Sequence, residues 1–214
     1  MEDKQTSTFF DSYAEKFDSI YQTKRSWVNS ILNSLFRKSM FLRYKLTLEG
    51  CNPIEGMTVF DIGCGPGHYA IALAKMGAKF VLGIDFASSM IEIAKERAKF
   101  YNVEEQCQFL VADFFAFEPS EKFDYSIAMG FMDYMQNPKE VIEKVAKVTK
   151  RKAFFSFPSD KGFLAWQRKI RYKWKCPLYL YSEEKIRELF KDFPPEKVQI
   201  KKIQRDYFVT LLLD

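Results

Sequence analysis

Residues 59–70 read Val-Phe-Asp-Ile-Gly-Cys-Gly-Pro-Gly-His-Tyr-Ala, and no other stretch restricts the fold of this chain as much. An apolar run ends near an acid, glycines then alternate with other residues, and a helix-forming segment follows. That succession predicts a strand turning sharply into a helix. Glycines let the backbone turn there and let a ligand approach the main chain closely. The helix start presents unpaired N–H groups. Three glycine-rich patterns compete. A P-loop requires Gly-Lys followed by Ser or Thr, which is absent. A dinucleotide fingerprint, Gly-x-Gly-x-x-Gly counted from Gly63, fails because its third position is His68. The pattern Asp-x-Gly-x-Gly-x-Gly is matched by Asp61, Gly63, Gly65 and Gly67.

The flanking sequence alternates strands and helices. Strands are expected at 58–62, 80–84, 107–111, 123–129 and 153–157. Helices are expected at 69–76, 89–101 and 138–148. The strands are short and mostly apolar, as in a parallel sheet buried on both faces. Two more alternating segments, 197–204 and 206–213, are close enough for a tight hairpin. Ser182 is placed to cap a helix opening at Glu183-Glu184-Lys185. The expected fold is α/β: a doubly wound, Rossmann-like, seven-stranded sheet with a final antiparallel strand.

Each early strand ends in a loop that could hold part of one ligand. Asp85 ends the second strand about twenty residues past the glycines, where a carboxylate can take ribose hydroxyls. Asp113 ends the third strand, where it can accept from an adenine amino group while Phe114 stacks on the base. Residues 123–130 supply the fourth strand end. All these loops fall on the carboxyl edge of one sheet.

This set resembles the class I S-adenosylmethionine-dependent methyltransferases over about residues 57–157. Asp61 with its glycines is similar to the family's first motif, Asp85 to its second, Asp113 to its third, and residues 123–130 to its fourth. The resemblance implies S-adenosylmethionine as cofactor, contacted by Asp61, Gly63, Cys64, Gly65, Gly67, Asp85, Phe86, Met90, Asp113, Phe114 and Met129. The opening Phe9-Phe10-Asp11-Ser12-Tyr13-Ala14-Glu15-Lys16-Phe17-Asp18 resembles the lid of members that act on small molecules, and the layout is more distantly similar to porphyrin and quinone O-methyltransferases. No acid-Pro-Pro-Tyr motif follows the fourth strand, where the chain reads Met129-Gly130-Phe131-Met132-Asp133-Tyr134. That departure speaks against N-methylation of nucleic-acid or glutamine amides.

A methyl group on a sulfonium is already activated, so positioning can supply much of the rate without a dedicated base. Weak catalytic candidates are His68, Tyr13 and Tyr134, with Asp133 either a base or a solvated loop acid. The scattered cysteines and single histidine make a zinc site improbable.

Net charge is +5, which alone does not imply nucleic acid. Two acid-free basic stretches stand out. One carries Lys24, Arg25, Arg37, Lys38, Arg43 and Lys45; the other carries Lys161, Arg168, Lys169, Arg171, Lys173 and Lys175. Both interleave cations with aromatic rings. They are read either as solvated helix faces, as a cap attracting a small anionic acceptor, or as a peripheral contact with anionic membrane. The 22 phenylalanines suit a Phe-rich core, with some rings available to line a ligand pocket. Expected organisation is a helical lid over 1–50 and a methyltransferase domain over 51–214, with a basic aromatic cap at 158–180, in a cytoplasmic protein. The rival readings are an NAD-dependent oxidoreductase on a related fold and a non-catalytic binding subunit.

Overall fold

The computed structural model describes residues 27–161 and 177–214, with side chains from residue 38 onward. Seven strands form one sheet: β1 Thr58–Ile62, β2 Phe80–Asp85, β3 Cys107–Val111, β4 Phe123–Ala128, β5 Thr149–Pro158, β6 Val198–Ile203 and β7 Asp206–Leu212. Their spatial order is β3-β2-β1-β4-β5-β7-β6. The first five are parallel, and β7 lies antiparallel to both β5 and β6. The helices are α1 Trp27–Gly50, α2 His68–Lys75, α3 Ser88–Phe100, α4 Pro138–Lys147 and α5 Glu183–Leu189. The expected doubly wound sheet with a reversed last strand is therefore present.

The sheet is covered on both faces, which explains why its parallel strands are mostly apolar. One core joins α2 and α3 residues such as Leu73, Ile91 and Ala94 to Val59, Val81 and Phe154, with Leu42 and Leu46 of α1 packed on it. The other joins Val141, Ile142 and Val145 of α4 and Ile186 of α5 to Phe60, Ile62, Phe155 and Phe157. Phe60, Phe154, Phe155 and Phe157 are fully buried, so much of the Phe excess is core. Each side chain of that size contributes on the order of 1.5–3 kcal/mol through burial.

Local chemistry fixes the helix ends. Pro138 opens α4 with Glu140 in its first turn, while Lys144 and Lys147 sit in its last. That arrangement suits both the fixed φ of proline and the helix dipole. Ser182 caps α5 by accepting from the Lys185 N–H at 3.2 Å. Ser182→Ala should cost about 1 kcal/mol. For a chain of this size that lowers the melting temperature by roughly 2–4 °C, measurable by calorimetry.

Strand β5 corrects the sequence-based expectation. It was expected at 153–157 but starts at Thr149 and takes in Lys150, Arg151 and Lys152. The Lys152 ammonium donates to the Gly50 carbonyl at 3.2 Å, and Arg151 Nη1 lies 3.5 Å from the Tyr125 hydroxyl. Long cationic stems can cover apolar surface while their heads find partners, so charge did not exclude these residues from a central strand.

The expected N-terminal helix is present as α1, whose last turns belong to the core: Ser39 and Thr47 are buried. Residues 1–26 and 162–176, which carry Tyr13 and most of the basic aromatic cap, lie outside the described residues. No helix among the described residues is long and apolar enough to cross a membrane.

Candidate cofactor and methyl-transfer site

The glycine turn leaves β1 at the carboxyl edge of the sheet and is tied to β2, with the Cys64 N–H donating to the Ile84 carbonyl at 3.0 Å. Gly63, Gly65 and Gly67 have φ of 64°, 51° and 77°. Two of them matter for different reasons. A Cβ on Gly63 would lie 2.7 Å from the Phe131 ring, so this glycine makes room for the loop after β4. A Cβ on Gly65 would meet nothing within 4 Å, so the backbone there borders open space that a ligand can enter. The left-handed conformation still favours glycine at both.

Asp85, at the end of β2, holds this turn. Its Oδ2 accepts from the Gly65 N–H at 2.9 Å, and its Oδ1 accepts from the Ala87 N–H at 2.9 Å. A carboxylate oxygen has more than one lone pair, so holding a turn amide does not by itself bar it from a ligand hydroxyl. Asp61 lies deeper, at 2% exposure. Its Oδ2 has no hydrogen-bond partner among the described residues. Burial pushes the Asp61 carboxyl up to about 7; the Ala70 N–H holds it back, and the negative charge of Asp85 adds to the rise. Burial also pushes the Cys64 thiol well up, so it stays neutral beside the carboxylates.

The other expected cofactor residues follow the same edge. Asp113 Oδ1 accepts from the Phe115 N–H at 2.7 Å, shaping the loop after β3. The Phe114 ring is buried and packs edge-on against Phe115 and Phe131. Met90 is buried in a small cluster with Ala87, against which Phe86 packs. Met129 is partly buried against the core beneath α1, α2 and α3.

Among the catalytic candidates, His68 opens α2 with its Nε2 3.1 Å and its Nδ1 3.4 Å from Arg97 Nη1. A guanidinium only donates, so a ring nitrogen bonded to it must act as acceptor. Tyr134 ends a 3₁₀ turn, Met132–Tyr134, in the loop after β4. Asp133, in the same turn, is not the solvated loop acid weighed from sequence: it is 3% exposed. The returning end of the 158–180 segment covers it. The Tyr179 N–H donates to the Asp133 carbonyl at 2.8 Å, and the Tyr181 hydroxyl donates to the Met132 carbonyl at 3.1 Å. A bridge between Ser159 and Tyr181 closes the base of that segment at the carboxyl edge.

Sequence reasoning missed one group at this edge. The Arg43 side chain is 12% exposed, and its Nη1 donates to Ser156 Oγ at 3.1 Å. It therefore belongs to the sheet rather than to a solvated basic face, contrary to its place in the first basic stretch. The available signals were a serine inside Phe-Phe-Ser-Phe and an acid opening an apolar final strand.

The site fits S-adenosylmethionine on this geometry. An open glycine turn lies beside two carboxylates, one of them buried with an unused oxygen. Such a place attracts a cation and repels a pyrophosphate, which disfavours NAD. Seven strands in this order, with the ligand loops on the carboxyl edge, define a class I S-adenosylmethionine-dependent methyltransferase fold. Residues 54–189 match the methyltransferase-domain family, and the chain belongs to it.

The chain is 28% identical over 124 residues to the mitochondrial ubiquinone biosynthesis O-methyltransferase of Dictyostelium discoideum, covering 53% of this chain and 39% of that protein. It is 35% identical over 106 residues to the ubiquinone biosynthesis O-methyltransferase of Neisseria meningitidis, covering 48% of this chain and 44% of that protein. The matched region thus spans less than half the length of these curated relatives. In structure it is similar to magnesium protoporphyrin IX methyltransferase from Synechocystis with bound S-adenosylhomocysteine, with a TM-score of 0.75, 20% identity, and coverage of 99% of this chain and 100% of that one. This last likeness concerns the fold alone.

Proposed function

We propose that the chain transfers the methyl group of S-adenosylmethionine to an oxygen of a small organic acceptor. The observation that carries this reading is the pair of carboxylates, Asp61 and Asp85, beside the open Gly65 backbone. Oxygen is favoured as the methylated atom because the curated relatives are named O-methyltransferases.

The cofactor supplies a methyl group made electrophilic by its sulfonium. Asp85 presents oxygens that can orient ribose hydroxyls while it pins the Gly65 turn. Asp61 keeps a carboxyl oxygen buried, where it interacts more strongly with a cation than in water. Asp113 and Phe114 are assigned to the adenine side, and Phe86, Met90 and Met129 to apolar contacts around it. His68 is tied to Arg97, so the chain's contribution rests on alignment and water exclusion rather than on proton removal by its lone imidazole.

The acceptor approaches above the carboxyl edge, alongside α1. We assign it an anionic group because the sequence carries two acid-free basic stretches, 24–45 and 161–175. Lys38 and Lys45 are exposed on α1, although Lys45 lies 3.7 Å from Glu49. Contact with anionic membrane remains the second reading of the same cations, and cytoplasmic placement is part of the proposal.

The test is transfer of radiolabelled methyl from S-adenosylmethionine to a panel of phenols with and without a carboxylate. Methylated ether product, formed faster with the carboxylated phenols, supports the reading. Label appearing only on nitrogen or carbon acceptors sinks the oxygen assignment, and equal rates with and without the carboxylate sink the anionic one.

A further inference from the structure

The polar group missed by sequence reasoning lies where α1 crosses the carboxyl end of β5 and the amino end of β7. Side chains alternate across a strand, so Ser156 faces the same side of the sheet as Phe154, and Asp206 the same side as Phe208. Phe154 and Phe208 belong to the core beneath α1. On α1, Ser39, Arg43 and Thr47 are spaced four apart and line one face. The register therefore sets two polar strand residues against a polar helix stripe.

The contacts are specific. Ser39 Oγ donates to Asp206 Oδ2 at 2.5 Å. Arg43 Nε lies 3.9 Å from that same oxygen. Arg43 Nη1 donates to Ser156 Oγ at 3.1 Å, and the Gly130 N–H donates to it at 2.7 Å. A hydroxyl oxygen has two acceptor lone pairs, so Ser156 is filled by these two donors. Ser39, Ser156 and Asp206 are each no more than 3% exposed. Charged hydrogen bonds held that far from water are the strong kind.

Gly130 opens the loop after β4. The next residue, Phe131, fills the space that a side chain on Gly63 would need, and its ring centroid is 5.6 Å from that of Phe114. The contacts thus run from α1 through Arg43 and Ser156 to the Gly130 amide, and from there to the ring that backs the cofactor turn.

We propose that Arg43 is a positioning residue for methyl transfer: through Ser156 it fixes the Gly130 amide and so sets the β4 loop against the glycine turn. This rests on the function proposed above. Arg43 does not touch the reacting atoms; it acts by making α1 part of the site wall. Asp206, held by Ser39, sets a negative charge 3.9 Å from Arg43 Nε on the other side of the guanidinium.

The test compares amide exchange by NMR in the full chain, wild type against Ser156→Ala and Arg43→Gln, without ligand. Exchange at Gly130 should rise about tenfold in Ser156→Ala, which removes the acceptor of that amide, and should also rise in Arg43→Gln, which removes the charged donor that holds the Ser156 hydroxyl in place. The β1 amides of Phe60 and Ile62 should keep their wild-type rates. Calorimetry with S-adenosylhomocysteine should show dissociation constants about fivefold higher, consistent with a loosened turn rather than a lost contact. Unchanged Gly130 exchange in either variant overturns the proposal. So does a rise shared equally by Gly130 and β1, because that marks general destabilisation. If the wild type itself binds no S-adenosylhomocysteine, the functional reading fails, while the exchange comparison still decides whether Arg43 fixes the loop.

Discussion

Asp61→Asn should abolish measurable cofactor binding while making the unliganded protein more stable above neutral pH. Burial raises the Asp61 carboxyl from 3.8 to about 7. In the wild type, the stability tied to the protonated form is fully present below the unfolded value near 3.8 and is lost as pH rises through about 7. A shift of about three units corresponds to roughly 4 kcal/mol once the group is ionised in both states. The buried amide of Asn gives some of that back, because its N–H groups also need acceptors. The stability advantage of Asp61→Asn should therefore grow between about pH 4 and 7 and level off above. The negative charge of Asp85 adds to the rise at Asp61. The Cys51 and Cys107 thiols are pushed up to about 12 by burial and do not titrate in that window. A cationic ligand beside Asp61 favours the ionised carboxyl, so wild-type affinity should strengthen as pH rises through about 7, with proton release on binding. Thermal melts and titrations in buffers of different ionisation heat check both halves. An Asp61→Asn protein that binds as tightly as wild type would remove Asp61 from the site.

The second large effect belongs to Asp85→Ala. Taken from sequence alone, that change is expected to weaken the cofactor with little cost to the fold. The structure revises the second part. Asp85 accepts from both the Gly65 and Ala87 N–H groups, so its loss leaves two turn amides without their acceptor. Each such bond to a charged group is worth about 1.5–3 kcal/mol. Cofactor affinity should fall by at least about tenfold, and the melting temperature should fall too, by roughly 4 °C or more. Unchanged affinity would mean the ribose is held elsewhere. Unchanged stability would mean that water replaces the carboxylate in the turn at no cost.

The sheet was largely legible because its signals are local. Apolar runs bounded by glycine, proline or acids gave β1 and β3 their observed limits, and Ser182 announced its helix. Strand β5 was read short because Lys150, Arg151 and Lys152 look solvated in isolation, and only the neighbours Tyr125 and Gly50 show where the heads of Arg151 and Lys152 go. The glycine turn and Asp85 were legible because their spacing repeats a known mechanical solution. Which carboxylate is buried was not legible, because exposure depends on what the rest of the chain lays on top. Asp133 is the same case: Tyr179 and Tyr181, far along the chain, cover its turn. The Ser39–Asp206 contact joins residues 167 apart in sequence, and no pattern of either segment names the other.

The central claim is that the open glycine turn with its two carboxylates receives S-adenosylmethionine. Calorimetric titration of the full chain with S-adenosylhomocysteine and, separately, with NAD tests it most directly. The account predicts one-site binding of S-adenosylhomocysteine in about the micromolar range, a raised melting temperature, and no heat from NAD. Binding of NAD without binding of S-adenosylhomocysteine would contradict it.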